Sequence, residues 1–445
     1  MRKQILAIAV ATLTMLTACN SDKVKLSGKV QQNTCAEKNN VSYTFYQPAK
    51  ASGNLPIIIF FDSHCDGKTP VENYAPLADK YGYMLMGSND LHNGLSAGSV
   101  GDIVAALLNE ATKQLNADPN RIYLAGFSGG AKLATLYGVG NPVISGVVAC
   151  GAGSIPQVEP DSTFCFVGMV GDKDFNYLEM KQTIAAFSQF DIDYSLVVFS
   201  GKHQWPSTED FEKAIEPIEV NAMRYGKKDV DQNWLQNLYD TQCNAITDAL
   251  AAGDQIAAAE LVNRTESMFG SLMSDNGMAS YVTALYADPK YAQQLRQIQN
   301  LATKEIQLRS KFISSFDTRD LDWWRTEIEN FNKSINSTDL QVSLTSHRLK
   351  AYLSMAAFSL ASNNIMNEEA EKAEKKIAVY EIVDPNNSDV YLMKARYNLL
   401  VNNRTDMVAN YQKAVQMGFK QAKQYAAEAL WAPLFNQPEI QKLLK

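Results

Sequence analysis

The stretch Arg121 to Leu133, RIYLAGFSGGAKL, constrains the fold more than any other part of this chain. Apolar Ile122 to Ala125 has the character of a strand buried on both faces, and the residues after Gly130 favour a helix, so the segment reads as strand, sharp turn, helix. The turn Gly126-Phe127-Ser128-Gly129-Gly130 fits G-x-S-x-G, a nucleophile elbow whose serine takes a strained backbone conformation with no room for large neighbours. Gly126 and Gly130 supply that room. A helix starting directly after the serine points backbone N–H groups toward a developing oxyanion.

A serine hydroxyl becomes a useful nucleophile only when a base takes its proton and a carboxylate orients the base. On strand-turn-helix scaffolds of this kind the order is serine, acid, histidine. Of four histidines, His203 alone lies downstream of the acid candidates within the strand-bearing half, in Ser200-Gly201-Lys202-His203-Gln204-Trp205-Pro206. The acid candidates are Asp174 and Asp172, which follow the apolar run Phe166 to Gly171 at a strand's carboxyl end. Loop geometry favours Asp174; Asp172 caps the next helix or braces the loop in that reading.

From Lys25 to about Arg224 strand and helix signals alternate, as in an α/β fold with a largely parallel sheet. Val41 to Tyr46 alternates and suits an edge strand, while Pro56 to Phe61 is continuously apolar and suits a central one. Further strands are expected at Tyr83 to Met86, Val143 to Cys150, Phe164 to Val170 and Tyr194 to Phe199, with helices near Val71 to Tyr81 and Val100 to Leu115. This places Ser128 at the carboxyl end of a central strand, where α/β sheets bind ligands. Near Tyr225 to Asp229 strand signals stop, which divides a 25–226 α/β domain from a 230–445 helical one. Ala361 to Ala395, Ile377 to Tyr411 and Tyr380 to Ala414 are offset by 34 residues (395 − 361, 411 − 377, 414 − 380), the tetratricopeptide period. Two such units are expected within 354–421. Trp323, Trp324 and Trp431 read as core residues.

Residues 1–18 combine Arg2 and Lys3, an apolar run and Leu16-Thr17-Ala18 before Cys19, a secretory signal too short to span a bilayer. Residues 19–24 read as a tether. The five cysteines beyond Cys19 are an odd number without zinc-ribbon spacing; Cys150 and Cys165 read as buried thiols, a bridge between them being the alternative in an exported protein. No metal or other cofactor is called for. A net charge of −7 argues against a nucleic-acid partner held by its phosphates.

Together, DPNRIYLAGFSGGAKLA, VGDKDFNY and GKHQWP resemble the α/β-hydrolase superfamily, nearest its dienelactone-hydrolase-like and polyhydroxybutyrate-depolymerase or feruloyl-esterase-like branches. The resemblance covers under half of the chain. It implies Ser128 as nucleophile, His203 as general base, Asp174 as its orienting carboxylate and the Gly129 N–H as one oxyanion donor. Relatives usually carry His-Gly after the strand that ends near Phe61; this chain has Asp62-Ser63-His64-Cys65-Asp66-Gly67 instead. His64 is the first choice for the second backbone donor, with Ser63 and Cys65 as alternatives. His64 next to Cys65 also raises a cysteine nucleophile, against which stands the lack of an elbow there. His92, in the loop after the next strand, borders the same mouth as a candidate substrate contact or a plain loop residue. By resemblance to bacterial lipoproteins, Cys19 is the lipidated first residue of the mature chain, at the cell envelope.

The function expected is a membrane-tethered serine hydrolase acting on a small-molecule or polymer ester through an acyl-enzyme. A binding scaffold and a serine peptidase are the alternatives. The helical half is expected to bind a protein partner or pack on its neighbour, with a lid over the active site as the rival.

Overall fold

The computed structural model describes residues 28–50, 53–270, 272–273, 277–426 and 428–444, so Cys19 and the leader lie outside the described residues. Eight strands form one sheet: β1 (Gln31–Thr34), β2 (Ser42–Tyr46), β3 (Ile57–Asp62), β4 (Met84–Ser88), β5 (Ile122–Phe127), β6 (Gly146–Cys150), β7 (Cys165–Gly171) and β8 (Asp193–Phe199). Their spatial order is β1-β2-β4-β3-β5-β6-β7-β8. Strands β3 to β8 run parallel, and β1 and β2 are antiparallel additions. This is a mostly parallel α/β sheet, with β5 at its centre.

Helices cover both faces, as a parallel sheet requires. On one face α2 (Ala97–Asn109), α3 (Gly129–Gly138) and α4 (Tyr177–Phe187) bury Ile103, Leu107, Ala134, Met180 and Phe187 against Ile57, Ile59 and Phe61. On the other, α1 (Lys68–Tyr81) and α5 (Thr208–Arg224) bury Tyr74, Leu77, Phe211 and Ile218 against Ile58, Phe60 and Val148. The apolar run of β3 thus divides residue by residue between two cores, each large side chain contributing roughly 1.5–3 kcal/mol. The expected edge position of 41–46 is corrected: β2 lies inside the sheet, and the edge is β1. Its sequence, Gln-Gln-Asn-Thr, is polar throughout because it is half exposed, so it carries no apolar alternation to read.

The rest is helical: α6 (Gln232–Ala251), α7 (Gln255–Phe269), α8 (Met278–Ala287), α9 (Pro289–Thr318), α10 (Leu321–Ile335), α11 (Leu340–Met366), α12 (Ala370–Val383), α13 (Ser388–Leu400), α14 (Arg404–Gln416) and three short C-terminal turns of helix. Helices α12 and α14 begin 34 residues apart (404 − 370), each the second member of a packed pair with α11 or α13. Trp324 and Trp431 are fully enclosed in two separate helical cores. No helix among the described residues is long and apolar enough to cross a membrane.

The two halves share more than a junction. Helix α7 lies against β8 and α5, where Ser267 Oγ donates to the Tyr194 carbonyl (2.9 Å) and Arg264 donates to Glu216 (2.7 Å). Val220 and Met223 of α5 pack with Leu235, Met268 and Phe269. Farther along, Glu305 of α9 is completely buried between Arg309 of the same helix and Arg348 of α11. Those arginines reach back to the sheet: Arg309 donates to the Phe175 carbonyl at 2.7 Å, and Arg348 to that of Asp172 at 3.1 Å.

Candidate active site

Ser128 stands between β5 and α3 at φ 54°, ψ −119°, a conformation that costs an L-residue energy and turns its hydroxyl out of the sheet. The flanking glycines make it sterically feasible. A Cβ on Gly126 would stand 2.2 Å from the Gly130 carbonyl oxygen, and one on Gly130 would stand 2.0 Å from that of Phe61. Both clashes are with backbone, so neither can be relieved by a rotamer change.

His203 Nε2 lies 3.0 Å from Ser128 Oγ, and its Nδ1 lies 3.0 and 2.9 Å from the two carboxylate oxygens of Asp174. Asp174 is inaccessible to solvent and also accepts the Asn176 N–H at 2.8 Å. A carboxylate on Nδ1 fixes the proton there, leaving Nε2 free to accept from the serine. The structure therefore brings Ser128, His203 and Asp174 together. Asp172 is elsewhere: its Oδ1 accepts the Gly201 N–H at 3.1 Å. With Asp172 N–H to Phe199 O and Lys173 N–H to Gly201 O, both 2.9 Å, it zips the acid loop to the histidine loop beyond the ends of β7 and β8.

The loop after β3 departs from expectation. The N–H of His64 is engaged by Asp62 Oδ1 at 2.8 Å and that of Cys65 by the Leu91 carbonyl at 2.9 Å, so neither faces the elbow as a free donor. Ser63 is the residue beside the elbow, its Cβ 3.2 Å from where a Cβ on Gly129 would stand. Asn93 Oδ1 comes within 3.0 Å of the same point. Of the three candidates for the second backbone donor, His64 and Cys65 thus have their N–H groups engaged, and Ser63 stands beside Gly129. Gly129 opens α3, where the first N–H groups have no acceptor within the helix.

The His64 side chain serves the rim. A hydrogen bond to Asp62 raises its pKa against the opposing effect of burial, and its ring stacks on Tyr425 with centroids 6.0 Å apart. His92 forms an antiparallel bridge with His64, and its Nδ1 lies 2.8 Å from the Asn93 carbonyl. Burial and nearby carboxylates push the Cys65 thiol up to about 12, which leaves it without thiolate character. All five described cysteines are free, Cys150 and Cys165 among them.

Several contributors lack a sequence signal strong enough to single them out. Asp62 Oδ2 accepts the Trp205 indole N–H at 2.9 Å, and Tyr74 donates to the Pro206 carbonyl at 2.9 Å, so the residues after His203 clamp its loop to the end of β3 and to α1. Phe127 and Phe175 flank the imidazole at 4.7 and 4.3 Å between centroids. The cleft that opens over His203 holds about 740 Å³. Phe127, Lys173, Phe175 and Lys202 line it from the sheet side; His347, Lys350, Met355, Phe358, Asp389 and Tyr425 line it from the helical side. Burial pushes Asp389 up to about 6. The helical half is thus a wall of the cleft. No group of three His, Cys, Asp or Glu side chains suited to a metal ion occurs among the described residues.

No family model matches the chain, and no curated protein matches it. Among solved structures it is similar to an esterase from Pyrobaculum calidifontis at 13% identity, covering 44% of this chain and 84% of that one with a TM-score of 0.35. Esterase B from Lactobacillus rhamnosis matches at 16% identity over 44% of this chain and 88% of that one, TM-score 0.36. An S-formylglutathione hydrolase from Staphylococcus aureus matches at 13% identity over 43% and 95%, TM-score 0.35.

Proposed function

We propose that this chain is a serine hydrolase that cleaves carboxylic esters through an acyl-enzyme on Ser128. The observation that carries the reading is the relay from Ser128 Oγ through His203 to the buried Asp174, with contacts of 3.0 and 2.9 Å. In this mechanism Ser128 Oγ attacks the ester carbonyl as His203 Nε2 takes its proton. The N–H groups of Gly129 and Ser63 receive the oxyanion, and the imidazolium returns the proton to the departing alkoxide. Water repeats the sequence on the acyl-enzyme and frees the acid. Ester cleavage is favoured over peptide cleavage because it has the lower barrier at a site of this kind.

The Leu16-Thr17-Ala18-Cys19 pattern supports an exported chain anchored through lipid on Cys19 to a bacterial envelope. The 34-residue spacing of α12 and α14 supports tetratricopeptide-like units in 354–421, whose outer surface is a site for a protein partner. The test of the enzymatic reading is turnover of short aryl esters. Ser128→Ala is expected to lower it about a thousandfold or more with thermal stability near wild type; unchanged turnover would remove the reading.

A further inference from the structure

Resting on that reading, we propose that the cleft selects esters that carry an anionic group, a carboxylate, sulfate or phosphate, bound by Lys173, Lys202 and Lys350 beside an apolar floor. Lys173 directly precedes Asp174 and Lys202 directly precedes His203, so the same two zipped loops that deliver the acid and base deliver two ammonium groups. Lys350 comes from the opposite wall, one helical turn past His347 on α11, and all four side chains line the cleft.

None of the three lysines pairs with a carboxylate among the described residues; Lys350 donates only to the Asn332 side chain at 3.1 Å. Other lysines of this acidic chain do pair, as Lys132 with Glu179 and Lys181 with Glu260. Burial first, and then the charges of Lys173, Lys202 and Lys350 against the opposing Asp172 carboxylate, hold the His347 pKa below its ordinary value. Asp172, the carboxylate on that side, is tied to Gly201. On the far side, Asp384 is engaged by Ser354 and Asn387, and Asp389 by Tyr425. Like charges gathered without a direct ion pair repel one another, and an anionic ligand placed among them relieves that cost while fixing its own orientation. Phe127, Phe175 and Met355 give the rest of the substrate an apolar seat.

The test compares two matched pairs on the full chain: para-nitrophenyl hydrogen succinate against para-nitrophenyl butyrate, with charge on the acyl side, and para-acetoxybenzoate against its methyl ester, with charge on the leaving side. The charged member of at least one pair should have a kcat/KM about tenfold above its neutral partner at low salt, falling as ionic strength screens the lysines. Lys350→Gln should lower that ratio about threefold, and the triple Lys→Gln variant should bring it near one. Turnover of the neutral esters with ratios at or below one in both pairs would overturn the proposal while leaving the hydrolase reading intact. If no ester is turned over, the hydrolase reading fails, and calorimetric binding of the hydrogen succinate ester decides the anion site alone. Binding weakened by Lys350→Gln supports the site; lysine-independent or undetectable binding overturns it.

Discussion

Replacing Glu305 by leucine tests whether the helical half is structurally part of the active site. The Glu305 carboxylate has no solvent exposure and accepts from Arg309 at 2.5 Å and from Arg348 Nε at 3.0 Å. Both arginines are largely buried, at 18% and 7% exposure. After the substitution their remaining acceptors are the carbonyls of Phe175 and Asp172 and the hydroxyl of Thr345. Breaking one side of a buried ion pair costs about 3–5 kcal/mol. Those neutral acceptors place this case near the lower end, at about 3 kcal/mol. The two carbonyls belong to the loop that holds Asp174, so ester turnover should fall as well, by about tenfold, through misplacement of His203. Urea unfolding followed by tryptophan fluorescence reads the first effect, since Trp324 packs on Phe312 and Phe316 of α9 at 5.7 and 4.8 Å. Steady-state kinetics reads the second. A midpoint and kcat both equal to wild type would refute the reasoning.

Asp174→Asn should lower turnover by about a thousandfold or more, because the amide favours the wrong imidazole tautomer, whereas Asp172→Asn should cost about tenfold or less; comparable losses in the two variants would contradict the assignment. A fragment of residues 25–226 strips α7 from β8 and exposes Val220 and Met223, so it should be poorly soluble or inactive; a soluble fragment with wild-type kcat/KM on small esters would show that the helical wall is dispensable. Burial raises Asp389 from 3.8 to about 6, so the folded state binds this proton more tightly than the unfolded chain does. Its contribution is complete below the unfolded value and is lost as pH rises toward 6, a fall of about 2–3 kcal/mol. Asp389→Asn should flatten that part of the stability profile, and an unaltered slope would count against the burial argument.

Much of the site is legible in the sequence because its chemistry leaves local marks. The elbow demands glycine at 126 and 130, and the clashes with the Gly130 and Phe61 carbonyls explain why. Triad order picks out His203, and strand-end position picks out the pair from which Asp174 emerges. The second oxyanion donor is not legible in that way: it depends on which N–H groups the loop has already spent, and Asp62 and Leu91 occupy those of His64 and Cys65. Nor does any local pattern announce Arg348 donating to Asp172, 176 residues away. β1 escapes notice because a half-exposed polar edge strand has no apolar periodicity. The lysines beside Asp174 and His203 read as ordinary loop residues until α11 encloses them with Lys350.

The central claim, a Ser128 hydroxyl activated by His203, is tested most directly by a fluorophosphonate probe on the full-length protein with intact-mass and peptide readout. One probe adduct per chain is expected, mapped to Ser128, blocked by competing short acyl esters, absent in Ser128→Ala and strongly slowed in Asp174→Asn. An unlabelled wild-type protein, or an adduct on another residue that persists in Ser128→Ala, would contradict it.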